Sequence, residues 1–131
     1  MLRIPTRLDS SLEDLIHRTI GCCIEVHRGL GPGLLESIYQ RAVGLELEAA
    51  AIPFEREKSF PVTYHGRRLY NHLVDLVVDQ RLLLELKAVE QLHPVHDAQV
   101  LSYLRVSKLR VALLINFNVA ILPHGIRRTV L

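Results

Sequence analysis

The sequence contains no tryptophan, and aromatic residues make up only 5% of the chain although 49% of its residues are hydrophobic. The core must therefore be mainly aliphatic, and no aromatic platform for stacking single-stranded bases is visible. The only two cysteines, Cys22 and Cys23, are adjacent, which excludes a four-cysteine metal site and an ordinary disulfide framework. We interpret them as small buried hydrophobic residues.

Strong charge of one sign and long apolar runs are also lacking. The formal net charge of +2 is too small to indicate nucleic-acid binding by itself, so any phosphate-binding surface must be a local basic patch. The sequence has no signal-peptide pattern and no apolar run of about 18 residues, which predicts a cytoplasmic protein without a membrane partner. The length predicts a single domain over residues 1–131, of which residues 1–7 form a loose leader.

The apolar periodicity predicts the element order ααβββαβ(β). A crossover from the third strand through the third helix to the fourth strand implies a parallel pair in an otherwise antiparallel sheet. We therefore expect an α/β fold: a single three-layer α/β/α domain with a mixed central sheet of about four to five strands flanked by helices. The expected helices cover about residues 8–26, 34–51 and 94–106, and the strands 58–64, 69–78, 82–89, 109–117 and 126–131. The second helix is expected to bury Leu35, Ile38, Tyr39, Ala42, Leu45 and Ala49.

Two charged residues interrupt the predicted strand at residues 82–89. Glu85 and Lys87 are two residues apart and therefore share one face of a strand that is otherwise apolar. Burying a charge costs several kcal/mol unless the charge is paired or binds a metal. The alternative is a Glu85–Lys87 salt bridge on an exposed sheet face, although such a face should alternate polar and apolar residues.

The preceding strand supplies a third charge, Asp75. A two-residue loop would place Asp75 opposite Leu84, whereas a three-residue loop would pair Val78 with Leu82 and place Asp75 opposite Glu85. The charge pattern favours the second register, because a slip by one residue would send the two acids to different faces. Two facing carboxylates repel each other unless a cation lies between them. Oxygen ligands at this spacing suit Mg²⁺ or Mn²⁺.

Several motifs together resemble a known family. The segment Asp75–Lys87, which ends in Glu-Leu-Lys, resembles the core of the PD-(D/E)XK nuclease superfamily. Residues 33–39 (GLLESIY) resemble the motif of the GxxExxY family, a bacterial group placed in that superfamily. Residues 99–103 (QVLSY) resemble the QxxxY helix of its exonuclease-like branch, and residues 113–117 and 125–128 also look like the GxxExxY family. One departure is Val74, which stands where the superfamily's motif has proline.

The resemblance implies a nuclease that hydrolyses phosphodiester bonds of DNA or RNA with Mg²⁺ or Mn²⁺. It implies that Glu36, Asp75, Glu85 and the backbone carbonyl of Leu86 bind the metal. The implied catalytic residues are Asp75, Glu85, Lys87 and Gln99. Two tyrosines would have supporting roles: Tyr103 would support Gln99, and Tyr39 could hydrogen-bond Glu36. A homodimer or a protein partner is also compatible with so small a nuclease domain.

Each assignment has a simpler alternative. Glu36 could be an ordinary residue at the edge of a helix face, Tyr39 could be core, and Gln99 could be a solvated amide. His93 and His96 lie one turn apart, but a zinc site would require further converging ligands. His72 is expected on the strand face opposite Asp75. At the level of function, the alternative is a non-catalytic nucleic-acid- or protein-binding module on the same fold.

Overall fold

The computed structural model describes residues 8–131, and the leader predicted at residues 1–7 lies outside this range. The described chain forms three α-helices, five strands and one short 3-10 helix. In chain order the elements are α1 (Ser10–Leu30), α2 (Glu36–Ala49), β1 (Phe54–Tyr64), β2 (Arg67–Val78), β3 (Leu82–Lys87), α3 (Pro94–Ser107), β4 (Val111–Asn116), the 3-10 helix (Leu122–Gly125) and β5 (Ile126–Val130).

The five strands form one mixed sheet in the order β1-β2-β3-β4-β5. β3 and β4 are parallel, because α3 carries the chain back across the sheet between them. All other neighbouring strands are antiparallel. The predicted α/β class, the mixed sheet and the crossover are therefore confirmed.

Helices cover both faces of the sheet and produce the predicted three layers. α1 and α2 pack over the face that carries Leu82, Leu84 and Leu86 of β3. α3 packs over the other face, where Leu104 and Leu83 belong to one buried cluster. β3 is apolar on both faces because both faces are covered.

Asp9 caps the start of α1, and its carboxylate accepts a hydrogen bond from the Leu12 N–H at 2.8 Å. Gly31 caps the end of the helix with φ of 67°, a conformation that glycine adopts without steric cost. Cys22 and Cys23 are buried, and burial raises the pKa of both thiols. Their interpretation as small buried residues is therefore confirmed. Within residues 8–131, no helix combines the length and apolarity needed to cross a membrane.

α2 buries a different face from the one predicted. Of the predicted residues only Tyr39 is fully buried, whereas Ala42 is partly buried and Leu35, Ile38, Leu45 and Ala49 are exposed. The buried residues are Tyr39, Val43, Gly44 and Leu47. Gly44 permits this orientation, because a Cβ at Gly44 would lie only 3.2 Å from the Phe54 ring of β1. The helix thus approaches β1 through its glycine, which the apolar pattern alone did not reveal.

The strand boundaries also differ from the prediction. β1 begins at Phe54, four residues earlier than expected, and β3 ends at Lys87, two residues earlier. The turn between β1 and β2 contains only His65 and Gly66, both with positive φ (48° and 74°), rather than the four residues expected. Two positive φ values are typical of the tight turns that match the twist of a hairpin.

Candidate metal-binding active site

The site lies where β2 and β3 separate. Val78 pairs with Leu82 and Leu76 with Leu84, so the register predicted for a three-residue loop is confirmed. Asp79 and Gln80 in this loop have φ of 50° and 58°. The regular pairing stops after Leu76, one step before Asp75 would pair with Glu85.

Beyond Leu76, hydrogen bonds to the side chains of Asp75 and Glu85 replace the backbone pairing between β2 and β3. The Asp75 N–H donates to Glu85 Oε1 at 3.2 Å, and the Leu86 N–H donates to Asp75 Oδ2 at 2.8 Å. Each acid therefore bonds to the backbone of the opposite strand. The structure brings the two predicted acids together in the opening between β2 and β3.

The prediction that both acids project from the same face of the sheet is not met. Glu85 alternates with Leu84 and Leu86, which lie on the α1–α2 side, so Glu85 points to the α3 side. On β2 the alternation breaks at Asp75, because Val74 and Val77 both pack on the α3 side. The carboxylate of Asp75 instead lies near the plane of the sheet, where it meets the Leu86 N–H. The departure of β2 from β3 causes this difference.

The electrostatic environment opposes ionisation of both acids. Burial, followed by the charge of Asp75, raises the pKa of Glu85 to about 8, and Glu85 is only 6% exposed. Burial also raises the pKa of Asp75, against the lowering effect of the Leu86 N–H. Lys87 lowers the pKa of both acids but does not cancel their shifts. A pair of this kind must hold a proton or a cation.

Glu36, the first residue of α2, lies beside the end of β3. Its Oε1 accepts a hydrogen bond from the Ala88 N–H at 3.3 Å. Its negative charge contributes to the raised pKa of both Asp75 and Glu85. The structure therefore places three carboxylates in one electrostatic neighbourhood.

Tyr39 supports the loop before α2 rather than the carboxylate of Glu36. Its hydroxyl donates to the Gly31 carbonyl at 2.6 Å and accepts from the Leu34 N–H at 3.1 Å. Its ring is fully buried and stacks on Phe117 with centroids 4.5 Å apart. Of the two alternatives left open by the sequence, the core position is correct.

Lys87 is partly buried beside the acids. No carboxylate in residues 8–131 lies within 4.0 Å of its ammonium group, so the Glu85–Lys87 salt bridge considered as an alternative is not formed. The lysine nevertheless acts on the pKa of Glu85, Asp75 and His72 through its charge. It is a cation close to the acids and free of a direct ion pair with them.

Tyr103 and Gln99 of α3 behave differently. Burial, then Glu85 and Asp75, raise the pKa of the Tyr103 phenol, which places this ring near the acids. Gln99 is exposed, and its side chain forms no hydrogen bond with any residue of the described chain. The expected support of Gln99 by Tyr103 is therefore absent from this arrangement.

The position predicted for His72 was wrong. Its ring stacks on Tyr103 of α3 at a centroid distance of 3.6 Å, so it lies on the α3 side with Glu85. The break in alternation at Asp75 explains the error, since the prediction assumed a regular strand. His93 and His96 lie at the start of α3, where His96 Nδ1 accepts a hydrogen bond from the His93 N–H at 3.0 Å.

Two residues that the sequence analysis missed hold the site in place. Asn116, only 2% exposed, accepts from the Val89 N–H at 3.1 Å and donates to the Val89 carbonyl at 2.9 Å. This amide fixes the chain just after Lys87. Gln40 of α2 donates to the Asp75 carbonyl at 3.3 Å. A signal for Asn116 was present, because it is a polar residue at the end of a fully apolar run.

The donor set suits a hard divalent cation, although it is not a complete metal site as arranged. Across residues 8–131, no three Asp, Glu, His or Cys side chains converge closely enough to hold a metal ion. The carboxylates of Asp75 and Glu85 are nonetheless adjacent oxygen donors whose charges lack a counter-ion at contact distance. Carboxylate oxygens are the ligands that Mg²⁺ and Mn²⁺ prefer.

A mixed five-stranded sheet covered on both faces, with acids and a lysine where two strands part, defines a restriction-endonuclease-like α/β protein. A family model described as the PD-(D/E)XK nuclease superfamily matches residues 13–129, and the chain belongs to that superfamily. Comparisons with curated proteins and with solved structures gave no significant match. Membership implies nuclease chemistry on nucleic acid, and nucleases of this superfamily generally depend on divalent metals.

Proposed function

We propose that this protein hydrolyses phosphodiester bonds in nucleic acid with the help of Mg²⁺ or Mn²⁺. The observation that carries the proposal is the buried pair Asp75 and Glu85, in which burial and mutual repulsion raise the pKa of Glu85 to about 8. A purely structural role would not require two acids without a contacting cation in the core. Perturbed carboxylates of this kind are concentrated at functional sites.

The residues proposed to hold the metal are Glu36, Asp75, Glu85 and the backbone carbonyl of Leu86. A bound divalent cation would polarise the phosphate and lower the pKa of a water molecule at this site. The backbone hydrogen bonds to Asp75 and Glu85 orient both carboxylates before any ligand arrives. The Ala88 N–H orients Glu36 in the same way.

The remaining proposed roles belong to Lys87, Gln99 and Tyr103. Lys87 would orient the attacking water or stabilise negative charge that develops on the phosphate, since its ammonium is not committed to an ion pair. Gln99 is exposed on the helix that covers this side of the sheet, where its amide can hydrogen-bond a phosphate or a water. Tyr103 would fix the side of the site formed by His72.

We also propose that the protein is a member of the GxxExxY group. Each motif position has a separate structural use that supports this assignment. Gly33 has φ of 100°, a value that other residues rarely adopt, and it precedes the helix that carries Glu36. Glu36 bonds to the segment after β3, and Tyr39 fixes the loop that contains the glycines.

The test is single-turnover cleavage of labelled DNA and RNA, each single-stranded and duplex, in Mg²⁺ or Mn²⁺ and in EDTA. Cleavage that requires the metal and is lost in Glu85→Gln is the expected result. Glu90→Gln, which changes an exposed acid in the segment after β3, is the matched control and should cleave normally. A folded wild-type protein that cleaves none of these substrates would contradict the proposal.

A second candidate is a non-catalytic nucleic-acid-binding module on the same fold. The observation that favours it is Gln99, whose side chain forms no hydrogen bond with the acids or with Tyr103. Such a module would bind nucleic acid equally well in EDTA and in Mn²⁺. Its melting temperature would also be independent of either metal, which calorimetry can measure.

A further inference from the structure

β1 and β2 extend beyond the rest of the sheet as a two-stranded arm, which we define as residues 58–74. β2 pairs with β3 only from Leu76 to Val78, whereas its pairing with β1 continues to Arg67 at the tip. The two strands contain 11 and 12 residues, compared with about 5–6 residues for an ordinary strand. Asp75 lies directly at the base of this arm.

The composition of the arm differs from that of the whole chain. Residues 58–74 include Lys58, Arg67 and Arg68 but no aspartate or glutamate, although Lys58 is ion-paired at 2.8 Å with Glu55 just before the arm. Since the formal net charge of the chain is +2, the residues outside the arm carry a net charge of −1. The arm also contains Phe60, Tyr64 and Tyr70, three of the seven Phe and Tyr residues in the sequence. A low average aromatic content therefore concealed a local concentration.

Two of these rings share one face of the arm with His72. Tyr70 pairs with Val62 and His72 pairs with Phe60, so these four residues point to the same side. The pairing shifts between Val62 and Thr63, so the regular alternation ends there. Tyr64 lies beyond this shift, at the tip of the arm.

The face that carries Tyr70 continues onto α3 and towards the acids. His72 stacks on Tyr103 of α3 at 3.6 Å, and His72 precedes Asp75 by three residues on β2. The rings of Tyr70, His72 and Tyr103 thus form a row, which we call the aromatic track. One end of the track points to the tip of the arm and the other to the acid pair.

The outer end of the track is open to solvent. Tyr70 is 66% exposed, as is Tyr64 at the tip, although such large rings are usually buried unless they have a partner. Arg67 and Arg68 at the tip of the arm complement phosphates, and exposed rings complement the faces of unpaired bases. In a duplex the base faces are stacked on one another and cannot reach these rings.

We propose that the aromatic track and Tyr64 at the tip of the arm together bind a single-stranded segment of nucleic acid, with one base on Tyr70, a further base on Tyr64 and a phosphate at Arg67, and that the track leads this segment to the acid pair. This inference rests on the proposed nuclease function and specifies its substrate class as a single strand or a frayed end. The arm then supplies the local basic patch that the small net charge of the chain requires.

The experiment measures fluorescence anisotropy of a labelled single-stranded oligonucleotide titrated with the full chain in EDTA. Tyr64→Ala and Tyr70→Ala should each weaken binding about tenfold, the scale of one base–aromatic stack. Tyr64→Phe and Tyr70→Phe keep the rings and should bind like the wild type. Leu73→Ala is the matched control, because Leu73 is 54% exposed and alternates with His72, on the opposite face of the arm.

Salt dependence provides a second readout for the phosphate at Arg67. For a single strand, the slope of log K against log salt changes by about 0.7 for each phosphate that the protein no longer neutralises. Arg67→Ala should reduce the slope by about this amount, whereas the tyrosine variants should leave it unchanged. Circular dichroism of each variant verifies the fold, and the exposed positions of Tyr64 and Tyr70 make unfolding by truncation unexpected.

Four outcomes would overturn the inference. One is unchanged affinity in both alanine variants, and another is an equal loss in Leu73→Ala. The third is that the tyrosine-to-alanine variants change the sedimentation of the protein but not its oligonucleotide binding, which would identify this face as an interface between copies of the chain. The fourth is tighter binding of a blunt duplex than of the single strand, with an affinity that the tyrosine substitutions do not change. Because binding is measured in EDTA, a protein that binds through the track but cleaves nothing would contradict only the proposed nuclease function.

Discussion

At the scale of single residues, Asp75 and Glu85 each satisfy a backbone N–H that the separating strands leave unpaired. A buried N–H without a partner costs about 1–3 kcal/mol, so the two acids stabilise the opening in which they lie. Their charges are destabilising at the same time, because burial and mutual repulsion oppose ionisation. The same side chains therefore complete the backbone hydrogen bonds of the opening, and their negative charges would be stabilised by a bound cation.

We predict that Glu85 makes the metal-free protein less stable as the pH rises. Its pKa is about 8 in the folded protein, compared with an ordinary value of 4.5. Between these values the folded state keeps a proton that the unfolded state has lost, so the free energy of unfolding falls with increasing pH. Melting temperatures in EDTA from about pH 5 to about pH 9 should show this fall in the wild type and a smaller one in Glu85→Gln.

Glu90→Gln serves as the control for this comparison, because Glu90 is exposed and close in sequence. It should follow the wild-type curve. If Glu85→Gln and the wild type lose stability equally over this range, Glu85 is ionised at neutral pH and the buried-acid interpretation is wrong.

A second prediction distinguishes the role of Lys87 from the role of the two acids. Lys87→Ala removes a positive charge beside Asp75 and Glu85 but no proposed ligand, so Mn²⁺ should bind as well as in the wild type or more tightly. Cleavage should fall by about 10²–10³, the effect of removing one transition-state donor. Isothermal titration calorimetry and single-turnover cleavage measure the two quantities separately.

Arg105→Ala, an exposed cation on α3, should change neither quantity. Glu85→Gln should lose both metal binding and cleavage. Normal cleavage by Lys87→Ala would leave this lysine as a counter-charge for the acids without a catalytic role.

At the scale of elements, the ends of β3 and β4 are fixed by each other and by the chain that follows β4. Asn116 bonds to Val89 on both its N–H and its carbonyl, and Phe117 N–H donates to the Lys87 carbonyl at 2.8 Å. The 3-10 helix ends at Gly125, which lies against the backbone of Asn116. Lys87 therefore sits on a segment held from two sides.

We predict that Gly125→Ala destabilises the protein, whereas Gly21→Ala stabilises it. A Cβ at Gly125 would overlap the carbonyl oxygen of Asn116, which is backbone and cannot move aside cheaply. Overpacking of this kind costs about 1–3 kcal/mol. A Cβ at Gly21 in α1 meets nothing within 4 Å, and replacing a helical glycine by alanine contributes about 0.8–1 kcal/mol. Urea unfolding of both variants measures the two changes, and equal effects would contradict the packing described at Gly125.

At the scale of the whole molecule, the site is assembled from elements that are distant in sequence. α2 contributes Glu36 from one layer, the sheet contributes Asp75, Glu85 and Lys87, and α3 contributes Tyr103 from the other layer. A cation that bridges Glu36 and the acid pair would therefore join two layers. Ligands that bind only the folded state stabilise it as a whole.

This arrangement predicts that Mn²⁺ raises the melting temperature. At a concentration of about 100 times the dissociation constant, a single site adds about 2.7 kcal/mol. Asp75→Asn should abolish this increase yet melt in EDTA at or above the wild-type temperature, because an amide oxygen can still accept from the Leu86 N–H and the repulsion of Glu85 is removed. A large loss of stability for Asp75→Asn in EDTA would instead indicate a structural role.

The sequence by itself determined the elements, the α/β class with its parallel crossover, and the register that brings Asp75 to Glu85. These features follow from local information: apolar periodicity, a three-residue loop, and the rule that a one-residue slip moves an acid to the other face. The same alternation placed Glu85 and Lys87 together. The register prediction succeeded because Leu76 to Val78 remain regularly paired with β3.

Only the tertiary structure decided the features that depend on long-range packing. The separation of β2 from β3 turned Asp75 into the plane of the sheet and brought His72 to the α3 side. The contact of Gly44 with Phe54 set the buried face of α2. Tyr39 hydrogen-bonds to the loop at Gly31 rather than to Glu36. Each of these outcomes depends on where a neighbouring element lies, and periodicity along one chain segment carries no information about that position.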